Sequence, residues 1–264
     1  MADRRWQFAV FASRWRNRMH YARRAPSVYA NWWALPLPML GVSVVLRLRN
    51  GLQYFVRAGT TDLAVVNETS LADHYLPAGF ASLPEQAVIL DVGANIGDFA
   101  MKMARAYPRG RIVAVEPVAD HCRMIEVQKL LNRADNVTTV RMALGGENGV
   151  VDIHVDGGHS SALWGSGPAE VVPQATLGRL MEDLEIDTVS LLKMDCEGAE
   201  WDIIPAAEDV LHRVERIAME FHCAGAWTPE RLATWLRERG FDVHHTSGSW
   251  NGLLWAIRPQ TQSR

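Results

Sequence analysis

From residue 87 onward, short apolar runs alternate with stretches in which apolar residues return every three or four positions. The runs at 88–90, 112–115, 137–142, 190–194 and 217–220 predict strands buried on both faces. The periodic stretches at 98–106, 119–132, 176–184 and 229–239 predict helices, as does 201–204 with an extension to His212. Thr228-Pro229-Glu230 makes a helix start, with proline at the first helical position. Strands alternating with helices predict an α/β doubly wound parallel sheet. Residues 241–245 and 253–257, around Ser247–Gly248, predict an antiparallel hairpin added to that sheet. Alternation at 150–155 predicts one further strand, and 156–172 reads as a long loop beside the strand ends.

Upstream the pattern differs. Two alternating stretches, 42–49 and 52–57, meet at Asn50–Gly51, a strong hairpin signal. Residues 60–75 read as helical around Leu63, Val66 and Leu71. In residues 1–35, Arg4, Arg5, Arg14, Arg16, Arg18, Arg23 and Arg24 interleave with Trp6, Phe8, Phe11, Trp15 and Tyr21. That spacing predicts one or two amphipathic helices. Such helices would pack on the domain or cap the substrate; the alternative is an interfacial helix on an anionic membrane. Leu35-Pro36-Leu37-Pro38 predicts a stiff, extended linker. The expected division is an N-terminal helical and hairpin appendage, 1–50, before a domain at 51–264.

Bulk numbers exclude several classes. The 264 residues suffice for one main domain, and the net charge of −3 gives no overall drive toward nucleic acid or anionic membrane. Cys122, Cys196 and Cys223 have neither disulfide-framework nor metal spacing. No apolar run is long enough to span a bilayer, and arginines interrupt any signal-peptide core. A cytoplasmic protein is the expectation. Homo-oligomerisation stays open.

Chemistry concentrates at the predicted strand ends. Asp91-Val-Gly93-Ala-Asn95-Ile-Gly97 joins a strand to a helix through a glycine-rich turn, the way an α/β fold presents a nucleotide-like cofactor. An acid at the strand end repels pyrophosphate and attracts a ligand with sulfonium and ammonium charges, such as S-adenosylmethionine. Glu116, about 20 residues beyond Gly97, stands where such folds set an acid against a ribose diol. Asp195 ends the fourth main strand, with Glu197, Gly198 and Glu200 at once behind it, and Lys193 in the strand reads as a pairing partner for one of these acids. Glu220 and His222 alternate about Phe221, so both can face the same crevice. His222 is a candidate general base, with Asp195 its alternative, and His159 in the long loop is the rival histidine. His159, Ser160 and Glu220 are the candidate substrate contacts. Asp195, Glu220 and His222 could also approach a divalent ion, but their spacing is not diagnostic and no metal site is read.

Taken together, Asp-Val-Gly-Ala-Asn-Ile-Gly at 91–97, Val-Glu-Pro at 115–117, Leu-Lys-Met-Asp-Cys-Glu-Gly-Ala-Glu at 192–200 and Glu-Phe-His at 220–222 resemble the FkbM family of methyltransferases. The resemblance runs from about residue 55 to 257 and includes Thr61–Asp62 and Tyr75. It implies a class I, Rossmann-like methyltransferase fold: a seven-stranded, mostly parallel sheet with helices on both faces and one antiparallel strand near its edge. It implies S-adenosylmethionine as cofactor and methylation of a hydroxyl on a sugar or secondary metabolite. On these positions Asp91, Gly93, Asn95 and Gly97 would hold the methionine part and Glu116 the ribose. Asp195 and Glu197 would lie near methyl transfer, lined by Glu220 and His222. Gly178 and Pro205–Ala206 depart from the family pattern, which bears on loop geometry more than on activity. Residues 1–50 lie outside the resemblance and are expected to set substrate choice.

Two other readings compete. An NAD-dependent oxidoreductase would carry Gly-x-Gly-x-x-Gly, absent here. A non-catalytic, membrane-associated S-adenosylmethionine-binding protein is supported by the Arg/Trp-rich N-terminus alone. The expected partner is a small-molecule or glycan acceptor rather than nucleic acid, since no basic stripe accompanies the sheet region.

Overall fold

A computed structural model describes residues 23–72, 75–77, 80, 82–156, 159–161, 169–222, 228–246 and 251–259. The chain divides into two compact units, Met1–Asp73 and His74–Arg264.

In the first unit residues 23–28 are helical, and two 3-10 turns follow at Trp32–Ala34 and Leu37–Leu40. The second turn replaces the extended linker expected at 35–38. Leu35 and Pro36 both take right-handed helical angles, Pro36 at φ −73° and ψ −19°. Proline's fixed φ suits a 3-10 turn as well as an extended chain, and Gly41 at φ 84° closes the turn.

β1 (Val44–Arg47) and β2 (Gln53–Val56) form the expected hairpin, in register from Val44 opposite Val56 to Arg47 opposite Gln53. The Leu48 N–H donates to the Leu52 carbonyl at 2.8 Å, so Arg49, Asn50 and Gly51 form the loop, with Gly51 at φ 91°. A three-residue hairpin ending in a left-handed glycine fits the right-handed strand twist. The first compact unit, ending at residue 73, holds both strands of this hairpin. α1 (Asp62–Asn67) and a π turn (Glu68–Ala72) complete the unit. Asp62, within the Thr61–Asp62 pair, is buried and accepts from the Arg57 backbone and from both ends of its guanidinium at 2.8–3.0 Å. Burial would raise the Asp62 carboxyl, but Arg57 holds it below the usual range. This acid fastens the end of β2 to the start of α1.

The second unit holds the seven-stranded sheet. Its strands are β3 (Val88–Val92), β4 (Arg111–Val115), β5 (Val137–Val140), β10 (Leu191–Met194), β11 (Arg216–His222), β12 (Asp242–His245) and β13 (Asn251–Ile257), in the order β12-β13-β11-β10-β3-β4-β5. β13 alone runs antiparallel to its neighbours. Helices α2 (Asp98–Ala106), α3 (Ala119–Asn132), α4 (Leu177–Asp183), α5 (Glu200–Ala206) and α6 (Pro229–Glu238) connect the strands. Alternation decides which face each side chain meets. Leu90, Val92, Val113, Val115, Leu192, Met194, Ile217 and Met219 pack with α4, α5 and α6. Asp91 and Lys193, cross-strand partners in the parallel register, belong to the opposite face. In α6, Thr228 caps Arg231 N–H and Pro229 occupies the first position. Leu232 and Leu236 are fully buried, each stabilising the fold by about 1.5–3 kcal/mol.

Two expectations are corrected. The helix after Asp195 stops at Ala206 instead of running to His212, because the backbone bonds beyond it tighten to three-residue turns, Glu208 N–H to the Pro205 carbonyl and Val210 N–H to the Ala207 carbonyl, and a 3-10 turn at Leu211–Arg213 follows. Residues 156–172 are not one loop. β8 (His159–Ser161) and β9 (Ala169–Ala175) join β6 (Ala143–Leu144) and β7 (Gly149–Asp156) in a second, four-stranded sheet of order β6-β9-β7-β8. Among the described residues no helix is long and apolar enough to cross a membrane.

Candidate active site

The turn after β3 opens the site. Gly93 sits at φ 71°, and a Cβ there would lie 1.8 Å from the Asp195 carbonyl oxygen. Gly93 thus lets the ends of β3 and β10 touch. Asn95 takes a left-handed φ of 48°, which asparagine tolerates better than most residues. Gly97, at φ 81°, would bring a Cβ to 3.1 Å from Ile125, so its role is close packing of α2 on α3. Asp91 lies behind the turn, wholly buried, with Lys193 Nζ 3.1 Å from its Oδ1. Lys193 also donates to the Gly93 carbonyl at 3.1 Å and lies 5.1 Å from the Tyr75 ring centroid. Burial pushes the Asp91 carboxyl up, and the ammonium opposes that push. Burial would strip the proton from Lys193, but the Asp91, Asp195 and Asp98 carboxylates hold it as a cation. The charge of Asp91 is therefore spent inside the protein.

The acidic character of the site comes from elsewhere. A cavity of about 650 Å³ is lined by Gly93, Asn95, Glu116, Asp195 and Glu197, which the sequence singled out. It is also lined by Met142, Leu144, Gly145, Gly146, Glu147, Gln174, Trp201 and Asp202, which it did not. Among the described residues five of those lining it are acidic and none is basic. Asp91 and Gly97 are not among them. A pyrophosphate would meet a ring of carboxylates here, whereas a sulfonium and ammonium would be attracted. The missed residues left one legible signal, Gly145–Gly146: a Cβ on Gly145 would collide with the Gln174 side chain at 2.5 Å.

Glu116 is buried, and much of its capacity is used. Oε2 accepts from Asn95 N–H at 2.8 Å; Oε1 accepts from Val118 N–H at 3.0 Å and lies 3.3 Å from His121 Nδ1. A carboxylate has about four acceptor positions, so roughly one remains for a ligand hydroxyl. The two hydroxyls expected on this acid would have to share it.

Beyond β10 the acids divide their labour. Glu200 is wholly buried. It accepts from Cys196 N–H at 2.8 Å and Gly198 N–H at 3.0 Å, and lies 3.3 Å from His222 Nδ1. It holds the 195–199 turn, in which Glu197 takes φ 52° and Gly198 φ 107°. Glu200→Ala would orphan one buried and one half-buried N–H group, at about 1–3 kcal/mol each. Urea unfolding should show a loss of about 3 kcal/mol, with Glu200→Gln recovering part of it.

Asp195 Oδ2 accepts from the Tyr75 hydroxyl at 2.9 Å. Burial, then the Asp195 and Glu220 charges, raise the Tyr75 phenol well above its usual range, so it stays a donor. His222 Nε2 stands 3.6 Å from Glu197 and 4.0 Å from Glu220. Glu220 accepts from Asn251 Nδ2 at 2.7 Å. Burial and then repulsion by Asp195 push Glu220 up to about 7. Burial disfavours the His222 cation, but Glu200, Asp195 and Glu197 push it up to about 9. The surrounding carboxylates thus favour the charged form of His222, the candidate base. Of the two groups, Glu220 is the one poised to accept a proton. His159 and Ser160 lie in β8, but their side chains fall outside the described residues.

The sequence model of the FkbM methyltransferase domain matches residues 91–243. The chain is 28% identical over 207 residues to the AMB antimetabolite synthetase AmbE of Pseudomonas aeruginosa, a match over 61% of this chain that spans only a tenth of that relative's length. It is 26% identical to Methyltransferase 1 of Beauveria bassiana, over 64% of this chain and 78% of that one. It is 25% identical to the 2-O-methyltransferase NoeI of Sinorhizobium fredii, over 51% of this chain and 63% of that one. Among solved structures, a SAM-dependent methyltransferase from Aquifex aeolicus aligns at 13% identity and a TM-score of 0.41, over 67% of this chain and 85% of that one. With the four motifs standing at the strand ends and the family match covering more than half its length, the chain belongs to the FkbM methyltransferase family.

Proposed function

We propose that the protein transfers a methyl group from S-adenosylmethionine to a hydroxyl of a sugar or secondary-metabolite acceptor. One observation carries this reading: Asp195 and Glu197 line the acidic cavity and also border the cluster of Glu220 and His222. The cavity is the cofactor side, the cluster is the acceptor side, and the shared acids mark where the two meet. A size of about 650 Å³ suits a nucleoside cofactor, and the acidic lining suits its two positive charges. When bound, the cofactor supplies an activated methyl carried on sulfur.

The chain's own residues do the rest. Glu116 positions the ribose, the 93–97 turn and Asp195 orient the amino-acid portion, and Tyr75 fixes the Asp195 carboxylate. An alcohol is too weak an acid to ionise beforehand, so Glu220 takes its proton as the new bond forms. His222 balances the surrounding carboxylates and holds Glu197 toward the acceptor. The relative named a 2-O-methyltransferase supports oxygen as the methylated atom.

Mass spectrometry of products from isotopically labelled S-adenosylmethionine and a panel of sugars and polyketide alcohols tests the reading. Labelled methyl ethers are expected; label only on amines or carbon would refute hydroxyl transfer. Titration calorimetry checks the cofactor side. Glu116→Ala should weaken S-adenosylmethionine binding about 10–100-fold, the range for losing a charge-assisted hydrogen bond.

A further inference from the structure

The two units carry opposite charge. Residues 1–73 hold ten arginines and no lysine against four carboxylates, a net of +6; the rest of the chain holds 17 basic against 26 acidic residues, a net of −9. The overall charge of −3 hides this separation.

The first unit also exposes apolar surface that its own fold does not use. Trp32, Trp33, Met39, Leu40 and Val42 are all exposed, Trp33 at 65%, Met39 at 73% and Leu40 at 74%. They stand within one short stretch, on the 3-10 turns Trp32–Ala34 and Leu37–Leu40 and just beyond. No charged residue occurs between Arg24 and Arg47. Exposed arginines flank the stretch on both sides, Arg23 and Arg24 before it and Arg47 and Arg49 after it. Scattered surface apolar residues need no explanation, but this many large ones in succession mark an interaction surface.

The chemistry selects the partner. Tryptophan beside arginine suits the headgroup level of a bilayer, where the indole has an apolar body and a polar edge. Leu40, Met39 and Val42 give no stacking surface to nucleic-acid bases, but bury well among acyl chains. We infer that residues 32–42 form an interfacial anchor by which this unit binds the surface of an anionic lipid bilayer, without crossing it. The turns enter the interface by their tips and the arginines meet anionic headgroups, each worth about fivefold in partitioning. The inference stands apart from the methyl-transfer reading: either can fail without the other.

The test is co-sedimentation of the full chain with vesicles of phosphatidylglycerol and phosphatidylcholine, against vesicles of phosphatidylcholine alone. Binding is expected on the anionic vesicles, weaker on the neutral ones, and falling steeply with salt. Trp32→Ser/Trp33→Ser and, separately, Met39→Ser/Leu40→Ser should each lower partitioning about tenfold or more. Both should leave thermal stability and S-adenosylmethionine binding unchanged. Using two separate pairs guards against one of them disturbing the fold. No binding to anionic vesicles at low salt would overturn the inference, as would binding indifferent to both pairs. Analytical ultracentrifugation covers the remaining occupant: self-association abolished by these substitutions, without vesicle binding, would assign the surface to a second copy and overturn the lipid reading.

Discussion

Lys193→Met should cost about 3–5 kcal/mol of folding stability, the range for stripping one partner from a buried ion pair. The ammonium is the charge partner of Asp91, which no water reaches, and it also caps the Gly93 carbonyl. Without it a wholly buried carboxyl must stay protonated or stand uncompensated, and the turn that shapes the cofactor cavity loses its anchor. Denaturant unfolding reads the loss directly. Asp91→Asn combined with Lys193→Met should recover much of it, because the orphaned charge is gone. If the single substitution proves neutral, or the double is no better, the pair is not what holds the β3–β10 junction.

Glu220→Gln is expected to lower turnover by about 10²–10⁴-fold, the usual contribution of a positioned general base. Its amide oxygen can still accept from Asn251, so the fold should persist and S-adenosylmethionine should bind as before. The pH profile separates a base from a merely structural residue. With Glu220 raised to about 7, wild-type kcat/KM should climb as pH passes through 7; the variant's residual activity should lack that limb. Stability follows the opposite course. Glu220 and His222 both titrate above their usual ranges, so their stabilising contributions are full at low pH and lost as pH rises. The contribution of Glu220 is lost as pH rises through about 7, and that of His222 through about 9. Thermal scans should show this decline, and His222→Gln should remove its upper part.

Most of the second unit was legible because its elements are long and periodic. Helices α2 and α3 occupy the residues their apolar spacing indicates, and every main strand falls within its predicted run or a few residues beyond. The second sheet was hidden for a physical reason. β9 contains Pro173, which argues against a strand, and its partner β7 lies across a long intervening segment, from Gly149 opposite Gln174 to His154 opposite Ala169. Pro173 is tolerated because it lies one residue before the stretch that pairs with β6.

In the site, motif residues were legible but their partnerships were not. Glycines at 93 and 97 announce a tight turn, yet only the fold shows that one yields to the Asp195 carbonyl and the other to Ile125. Asp91 reads as a cofactor acid until the register sets Lys193, a hundred residues away, beside it. The anchoring role of Glu200 is hidden because nothing local reveals the two N–H groups it satisfies. The cation preference inferred from Asp91 survives, carried instead by Glu116, Asp195, Glu197 and their neighbours around the cavity.

A crystal structure of the chain grown with S-adenosylhomocysteine shows where the cofactor sits. The ribose is expected on Glu116, the amino-acid portion against the 93–97 turn and Asp195, and the sulfur at the border shared by Asp195 and Glu197, facing Glu220. A nucleoside seated outside this cavity, or a sulfur pointing away from Glu220 and His222, would contradict this placement.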